Sequence, residues 1–299
     1  MSDGKIKEWG GFMKIINLME NTEGRAGCIA VHGLSFYIET QKHKLLMDLG
    51  PSEDTLANAK ALGIDLSLVD TVILSHGHYD HSGGILPFVK LNDTAKIYIQ
   101  KTAFADYYAY DGSEKGYRYI GIDKEIMKLP QVVFVEGDLE IDEELFLFSK
   151  LSGSYPIPRT NKRLMELVNG TYVQDTFGHE QCLVVREGDR RVLFSGCAHS
   201  GILNILKRYE ALYGSAPDMV ISGFHMMKKT EYDEEEIRTI IETAKLLKQY
   251  PTKFYTGHCT GVPAYAVMKK YMKEQLVYVH SGEEIRLEEK CVGKRRRSP

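Results

Sequence analysis

The stretch Thr71-Val-Ile-Leu-Ser-His-Gly-His-Tyr-Asp-His-Ser-Gly-Gly84 decides how the rest of the chain is interpreted. Its strand-favouring start runs into His76, His78, Asp80 and His81, and a pair of glycines follows. Three imidazoles and a carboxylate are costly to bury together, because each requires a partner once it loses water. A divalent transition metal satisfies all of them, and nitrogen with carboxylate oxygen suits zinc, iron or manganese. The pattern therefore predicts a metal centre at the end of a strand.

The spacing within this motif divides the side chains into two pairs. His76 and His78 stand two apart at a strand end, so they point to the same side and are predicted to hold one ion. Asp80 and His81 follow the turn and are predicted to face a second ion. We expect one or two divalent ions, with zinc first and iron or manganese as alternatives.

Composition narrows the possible partners. The chain of 299 residues is 43% hydrophobic and 26% charged, which is typical of a soluble globular protein. A net charge of -3 gives no electrostatic basis for binding nucleic acid or a membrane surface. The five cysteines are odd in number and form no CxxC pair, which favours a reducing cytoplasm over a disulfide framework. A small-molecule substrate is expected, and a homo-oligomer stays possible.

Strand and helix patterns alternate through both halves of the chain and predict an α/β (α+β) protein. Early strands are predicted at Lys14–Met19, Ile29–Val31 and Leu34–Glu39, and the clearest helix at Glu234–Leu247. The predicted organisation is a single domain over residues 13–290, an N-terminal extension (1–12), an insert near 106–165 and a basic tail (291–299). The insert is rich in tyrosine, and loop packing is the favoured role for these aromatic residues.

Three later segments share one form, in which an apolar strand is followed by Gly and His among small residues. They are Leu193–Gly201, Val220–His225 and Phe254–Gly261. We expect His199 and His258 to supply the remaining metal ligands. We expect His225 to contact the substrate or to support a ligand, and together with Asp80 it is a candidate catalytic residue.

The motif His76-x-His78-x-Asp80-His81 after an apolar strand resembles the signature of the metallo-β-lactamase-fold hydrolases. The resemblance implies a four-layer αββα sandwich with a one- or two-metal site at the sheet edges. Together with Gly196–Gly201, Gly223–His225 and His258–Gly261, the motif resembles one branch of that superfamily. This branch is named for 7,8-dihydropterin-6-methyl-4-(β-D-ribofuranosyl)aminobenzene-5′-phosphate synthase, an archaeal enzyme of the methanopterin pathway.

Comparison with the wider superfamily leaves three positions open. A metal-bridging Asp is usual where Cys197 stands, so Cys197 is either a thiolate ligand or a small buried packing residue. His179 follows Gly178 where the superfamily has a ligand, and it rivals His199 for the first ion. We favour His199 because it belongs to the Gly-Cys-x-His pattern of the branch. Asp48 either orients a ligand imidazole or forms a turn.

The expected chemistry follows from a metal with an open coordination position, which lowers the pKa of bound water and polarises a substrate oxygen. We expect a hydrolase or transferase acting on a phosphorylated small molecule, with a phosphodiester or a pterin diphosphate as possible substrates. One alternative is a ligand-sensing protein that keeps the metal site without catalysis. The other is a di-iron redox protein, which is disfavoured because such proteins usually carry Glu where His78 stands.

A phosphate site is also predicted, because the three ligand segments are each followed by Gly and a helix. Helix N-termini leave backbone N–H groups unpaired and attract anions. We expect the hydroxyls of Ser82, Ser200 and Thr260 to converge with these N–H groups around the metals. The alternative is that the hydroxyls only cap their own helices.

Overall fold

The computed structural model describes residues 13–151 and 153–286. The predicted N-terminal extension (1–12) and basic tail (291–299) lie outside these residues, as do the last four positions of the predicted domain. No helix of the described part of the chain is both long and apolar enough to cross a membrane.

Two seven-stranded sheets form the centre of the molecule. The first has the order β18-β1-β2-β3-β4-β5-β8, with β1 Lys14–Met19, β2 Ser35–Glu39, β3 Lys44–Met47, β4 Thr71–Ile73, β5 Lys96–Gln100, β8 Val132–Val135 and β18 Glu284–Ile285. The second has the order β17-β16-β15-β14-β13-β10-β9, with β9 Leu139–Glu140, β10 Leu145–Phe148, β13 Cys182–Glu187, β14 Arg190–Phe194, β15 Met219–Ile221, β16 Lys253–Thr256 and β17 Leu276–Tyr278.

Alternating side chains explain why the two sheets pack face to face. In β14, Val192 and Phe194 point into the core between the sheets, whereas Leu193 points to the helices behind the second sheet. In β3, Leu45 and Met47 join the same central core. This period of two gives each sheet one face for its partner sheet and one for a helical layer.

Helices cover both outer faces, and the predicted four-layer αββα sandwich is confirmed. The first sheet is flanked by α1 Asp54–Ala61, α2 Tyr79–Ser82 and α3 Ile85–Val89, and the second by α4 Ile202–Tyr213, α5 Glu234–Leu247 and α6 Val262–Met272. Helix α5 has the predicted bounds. Its start is fixed by a capping box, in which the Asp233 side chain accepts from the Glu236 backbone and the Glu236 side chain accepts from Asp233 N.

A separate four-stranded sheet begins in the predicted insert and extends beyond its predicted end near residue 165. Its order is β12-β11-β6-β7, with β6 Tyr107–Tyr110, β7 Tyr117–Tyr119, β11 Leu164–Val168 and β12 Thr171–Gln174. The sequence analysis assigned no strands to these four segments. Many of the tyrosines cover one another: the ring of Tyr117 stacks on Tyr172 at 3.6 Å, and Tyr108 lies opposite Tyr119.

The predicted strand at Ile29–Val31 is wrong, because this segment has no regular secondary structure. The Asn58 side chain, from α1, makes the backbone hydrogen bonds that a neighbouring strand would otherwise make. Asn58 Oδ1 accepts from Ile29 N at 2.7 Å, and Asn58 Nδ2 donates to Ile29 O at 2.8 Å and to Leu18 O at 2.7 Å. The backbone polar groups of Ile29 are therefore satisfied without a sheet.

At the amino ends of β3 and β4, one histidine joins the two sheets. His43 Nδ1 lies 2.7 Å from Asp70 Oδ1, and His43 Nε2 lies 2.5 Å from Asp142 Oδ2. Asp70 precedes a strand of the first sheet, and Asp142 precedes β10 of the second. The candidate site lies at the other end of these strands.

Candidate metal centre

The carboxyl ends of the parallel strands bring the predicted side chains together. β3 and β4 run parallel in the first sheet, and β14, β15 and β16 run parallel in the second. Their following loops therefore meet at one edge of the sandwich. Gly196 permits close contact there, because a Cβ on it would lie 2.2 Å from Ser75 Oγ and 3.1 Å from His76 Nδ1.

The first cluster consists of His76, His78 and His199, all buried, with their donor nitrogens within 4.8 Å of one another. His76 Nε2 lies 3.3 Å from His199 Nε2. Two ligands of a tetrahedral zinc ion are separated by about 3.3 Å, given metal–ligand bonds of ~2.0–2.1 Å. His78 Nε2 is buried without a hydrogen-bond partner. These nitrogens fit a divalent metal.

Hydrogen bonds at the other ring nitrogens fix the tautomers of two of these histidines. Ser75 Oγ donates to Asp48 Oδ2 at 2.7 Å, so it accepts from His76 Nδ1 at 2.8 Å. His199 Nδ1 donates to Asn161 Oδ1 at 3.0 Å. The lone pairs of both Nε2 atoms therefore face the cluster, as metal ligation requires.

The second cluster is built around Asp80. Asp80 Oδ2 lies 3.3 Å from His258 Nε2 and 3.7 Å from His81 Nε2. His81 Nδ1 donates to Asp48 Oδ2 at 2.6 Å, and His258 Nδ1 donates to Asn21 Oδ1 at 2.8 Å. Both Nε2 lone pairs consequently point toward the Asp80 carboxylate.

The protonation states in this region suit metal ligands. Burial lowers the pKa of His78 to about 3, and burial outweighs the attraction of Asp80 to lower the pKa of His258 to about 4. Burial alone would raise the pKa of Asp80, but His81 and His258 hold it well below its usual range. His78 and His258 are thus neutral and the Asp80 carboxylate is ionised at neutral pH, which are the forms that bind metals. Burial by itself lowers the pKa of His81, but Asp48 and Asp80 outweigh it and raise that pKa.

Three buried carboxylates hold the loops that carry the histidines. Glu180 accepts from His199 N at 2.7 Å and from Ser200 N at 2.9 Å, and Glu20 accepts from His258 N at 2.9 Å. Asp48 accepts from Ser75 and His81, so the contact expected of it with an imidazole is present. The positions of the imidazoles therefore depend on groups outside the clusters.

Cys197 lies between the two clusters. Its Sγ is 3.2 Å from His81 Nε2, and it shares one group of donor atoms with His76 and His81 and another with His258 and Cys259. Burial raises the pKa of its thiol well above the usual value. Cys197 thus occupies the place expected for a bridging group.

The two candidates for the third ligand of the first ion, His179 and His199, differ in the hydrogen bonds of their ring nitrogens. His179 Nδ1 accepts from Gly77 N at 2.9 Å, so its proton is on Nε2, which lies 3.1 Å from Asp175 Oδ2. Both ring nitrogens are therefore hydrogen-bonded within the protein, although His179 also forms a close group with His78 and Asp175. Unlike His199, His179 directs no lone pair at the first cluster.

His225 lies beside the metal centre and borders a cavity. Its ring centroid is 4.1 Å from that of His199, and its Nδ1 is 2.8 Å from Thr160 Oγ1. The cavity has apolar walls that include Phe224 and Ile240, and it reaches the first residues of α4. His225 is therefore placed between a candidate ligand and an apolar cavity.

The three hydroxyls predicted to meet a phosphate already have partners within the protein. Thr260 Oγ1 accepts from Phe224 N at 2.8 Å and lies 2.6 Å from Thr256 Oγ1, and Ser82 Oγ donates to His78 O at 3.1 Å. These two hydroxyls fix local backbone, and their contact with a phosphate stays a prediction. The Ser200 hydroxyl contacts the buried Glu180 carboxylate, and Ser200 also borders an open cleft.

Sequence reasoning missed several contacts of the site. Asn21 and Asn161 fix the tautomers of His258 and His199, and Glu20 and Glu180 hold their backbones. Each of these residues lies 19 or more positions along the chain from the histidine that it holds. Glu180 had the one available signal, because it follows His179, which the sequence analysis considered as a ligand.

Comparison with known proteins identifies the family. The model of the metallo-beta-lactamase superfamily matches residues 29–219, and this chain belongs to that superfamily. It is 30% identical to the Methanocaldococcus jannaschii protein named 7,8-dihydropterin-6-methyl-4-(beta-D-ribofuranosyl)-aminobenzene-5'-phosphate synthase, over 96% of this chain and 99% of that protein. An uncharacterised protein of the same organism is 32% identical over 89% of this chain and 96% of its own length.

A solved structure gives the same assignment. It is described as a metal-dependent hydrolase of the beta-lactamase superfamily and superposes with a TM-score of 0.75 at 30% identity. The superposition covers 93% of this chain and 100% of that one. The predicted superfamily and its branch are confirmed by these similarities.

Proposed function

We propose that this protein is a metal-dependent hydrolase or transferase that acts on a phosphorylated small molecule. The observation that carries the proposal is the pair of buried clusters, in which ring nitrogens of several histidines face one another or the Asp80 carboxylate. His78 Nε2 and His258 Nε2 have no hydrogen-bond partner in this arrangement. Leaving such groups unsatisfied costs about 1–3 kcal/mol each, and a bound divalent ion removes that cost.

The residues have separate tasks in this proposal. His76, His78 and His199 hold the first ion, while Asp80, His81 and His258 hold the second. A metal at these positions would lower the pKa of a water molecule and polarise a phosphoryl or acyl oxygen. Zinc is the expected metal because imidazole nitrogen and carboxylate oxygen are donors that suit it.

The surroundings of the centre support an anionic substrate with an apolar part. Helix α4 begins immediately after the loop that carries His199, and its N-cap, Gly201, offers no side chain to the free N–H groups. The apolar cavity beside His225 begins at the same helix end. The Methanocaldococcus relative is named for a ribofuranosyl 5'-phosphate with a pterin and an aminobenzene ring. A phosphate at the helix and a ring in the cavity would suit this arrangement.

The metal half of the proposal is tested by metal analysis of purified protein and of two variants. We expect one to two transition-metal ions in the wild type, loss of most metal and all turnover in His78→Ala, and unchanged metal in His43→Ala. His43 is the matched control because it lies at the opposite end of the strands, contacts Asp70 and Asp142, and belongs to no group of candidate ligands. Full metal content in His78→Ala would contradict the ligand assignment.

The substrate half is tested with metal-loaded wild type on phosphodiester, phosphomonoester, lactone and thioester substrates. We expect turnover of a phosphorylated compound, with competition by inorganic phosphate or diphosphate. Turnover confined to neutral lactones, or no competition by either anion at millimolar concentration, would refute the phosphate assignment. It would leave the metal assignment standing.

A further inference from the structure

His32 is a histidine of the site that the sequence analysis did not assign. It lies in the loop between β1 and β2, and 48% of its side chain is exposed. Its Nε2 lies 3.3 Å from Asp80 Oδ2, and its ring stacks on His258 with centroids 4.9 Å apart. We propose that His32 is a protein ligand of the second metal ion, an inference that rests on the proposed metal-dependent function.

The distances around Asp80 support this assignment. Its Oδ2 lies 3.3 Å from His32 Nε2, 3.3 Å from His258 Nε2 and 3.7 Å from His81 Nε2. Ligands of one tetrahedral zinc ion lie about 3.3 Å apart when the bonds are ~2.0–2.1 Å long. Three nitrogens thus surround one carboxylate oxygen at spacings that suit a shared ion.

An unsatisfied atom marks the same place. His258 is fully buried, and its Nε2 has no hydrogen-bond partner. Because Asn21 accepts the proton of His258 Nδ1, the Nε2 lone pair points toward His32 and Asp80. A metal bound by all three residues gives this lone pair a partner.

The loop that carries His32 is fixed against the second cluster rather than lying there by chance. Leu34 N donates to Asp80 O at 3.2 Å, and Gly33 N donates to Asn21 Oδ1 at 3.3 Å. A Cβ at Gly33 would lie 2.7 Å from Asp80 O, so only glycine allows this approach. Asn21 therefore contacts both the loop of His32 and the ring of His258.

The exposed position of His32 shows what it adds to the second site. Cys197 Sγ lies 3.2 Å from His81 Nε2, between the two clusters and away from solvent. Asp80, His81 and His258 supply three ligands, and His32 offers a further imidazole nitrogen beside the same carboxylate oxygen. His32 is the most exposed of the four residues around the second ion, so it closes the second site on the solvent side. The three histidines of the first cluster leave one coordination position open for substrate.

The test is isothermal titration calorimetry of metal-free protein with zinc, for wild type, His32→Ala and the control His43→Ala. Changes to groups that merely orient a ligand cost about 10–100-fold in metal affinity, so loss of a direct ligand should weaken one of the two zinc sites by about 100-fold or more. The other site of His32→Ala and both sites of His43→Ala should keep wild-type affinity.

A second variant separates ligation from a simple hydrogen bond to Asp80. His32→Gln keeps a donor for the carboxylate but removes the imidazole, so we expect it to lose the same zinc site as His32→Ala. The visible spectrum of the cobalt-loaded protein should change in both variants, since it reports the coordination of the ion. Thermal unfolding of the metal-free proteins checks that all variants are folded.

The outcomes distinguish the two proposals. If both sites of His32→Ala keep wild-type affinity, or if His32→Gln behaves as wild type, His32 is not a ligand, while the proposed function stands. If the wild type binds no metal at all, the proposed function fails, and the role of His32 fails with it.

Discussion

Asp48→Asn is the substitution that most directly tests how the two clusters are held. Asp48 is fully buried, and its carboxylate accepts three hydrogen bonds: from Ser75 N and Ser75 Oγ at 2.7 Å each and from His81 Nδ1 at 2.6 Å. The backbone at Asp48 has φ of 62°. Asn tolerates this conformation well, so the substitution changes the hydrogen bonds and not the backbone.

The magnitude follows from counting donors. All three partners of Asp48 donate, and an amide NH₂ in place of either carboxylate oxygen meets one or two of them. Each buried bond lost costs about 1–3 kcal/mol, so we expect metal-free Asp48→Asn to be about 1–6 kcal/mol less stable. When the NH₂ replaces Oδ2, His81 also loses the acceptor that fixes its tautomer, which should weaken metal binding by about 10–100-fold. This adds about 1.4–2.8 kcal/mol to the stability difference when metal is present.

The assay is urea unfolding of metal-free and zinc-loaded protein, combined with zinc titration. Asp142→Asn is the matched control, because Asp142 also accepts from a histidine ring and from backbone N–H groups but lies at the other end of the sandwich. We expect the control to lose stability equally with and without zinc. If Asp48→Asn behaves in the same way, and its zinc affinity equals that of the wild type, Asp48 does not position the ligands.

Three further outcomes are expected. His199→Ala should lower metal affinity far more than His179→Ala, as measured by titration, and the reverse order would exchange their assignments. Burial by itself lowers the pKa of His43, but its two carboxylate partners outweigh this and raise it. The stabilisation of the folded protein by His43 is therefore complete below the unfolded pKa of about 6.5 and is lost as pH rises through the folded pKa. In urea unfolding of metal-free protein, His43→Gln should have a lower free energy of unfolding than the wild type below pH ~6.5. Above the folded pKa the two proteins should approach the same stability. Thr260→Val should cost about 1–3 kcal/mol of unfolding free energy, because Phe224 N loses its acceptor, and competition by phosphate should stay unchanged; weaker competition would return Thr260 to the substrate site.

The sandwich could be predicted because its strands and helices obey local rules. Glu234–Leu247 shows a helical period and a capping pair in the sequence, and the structure has the helix with those bounds. Ile29–Val31 shows the composition of a strand, but its backbone bonds to the side chain of Asn58. No local pattern reveals a partner that lies 29 positions away.

The candidate site was also predictable only where its residues are close together in the sequence. His76, His78, Asp80 and His81 are adjacent in sequence, so their spacing indicates one metal centre. Asn21, Asn161 and His32 have no such signal, because each reaches the centre only through the fold. The hydroxyls after the ligand segments suggested phosphate contacts. The Thr260 hydroxyl instead accepts a hydrogen bond from Phe224 N, in the loop that follows the neighbouring strand β15. Hydrogen-bond competition of this kind depends on packing that a sequence does not display.

The attachment of the β1–β2 loop to Asn58 has a kinetic consequence. This loop carries Glu20, Asn21 and His32, all in contact with the second cluster, and one amide side chain from α1 holds its middle. Local opening of the loop would break the contacts of all three residues with the second cluster at once. The rate at which a chelator removes the second ion should therefore depend on Asn58, which touches no candidate ligand. In stopped-flow measurements, Asn58→Ala should release that ion faster than wild type, while the first ion should leave at an unchanged rate.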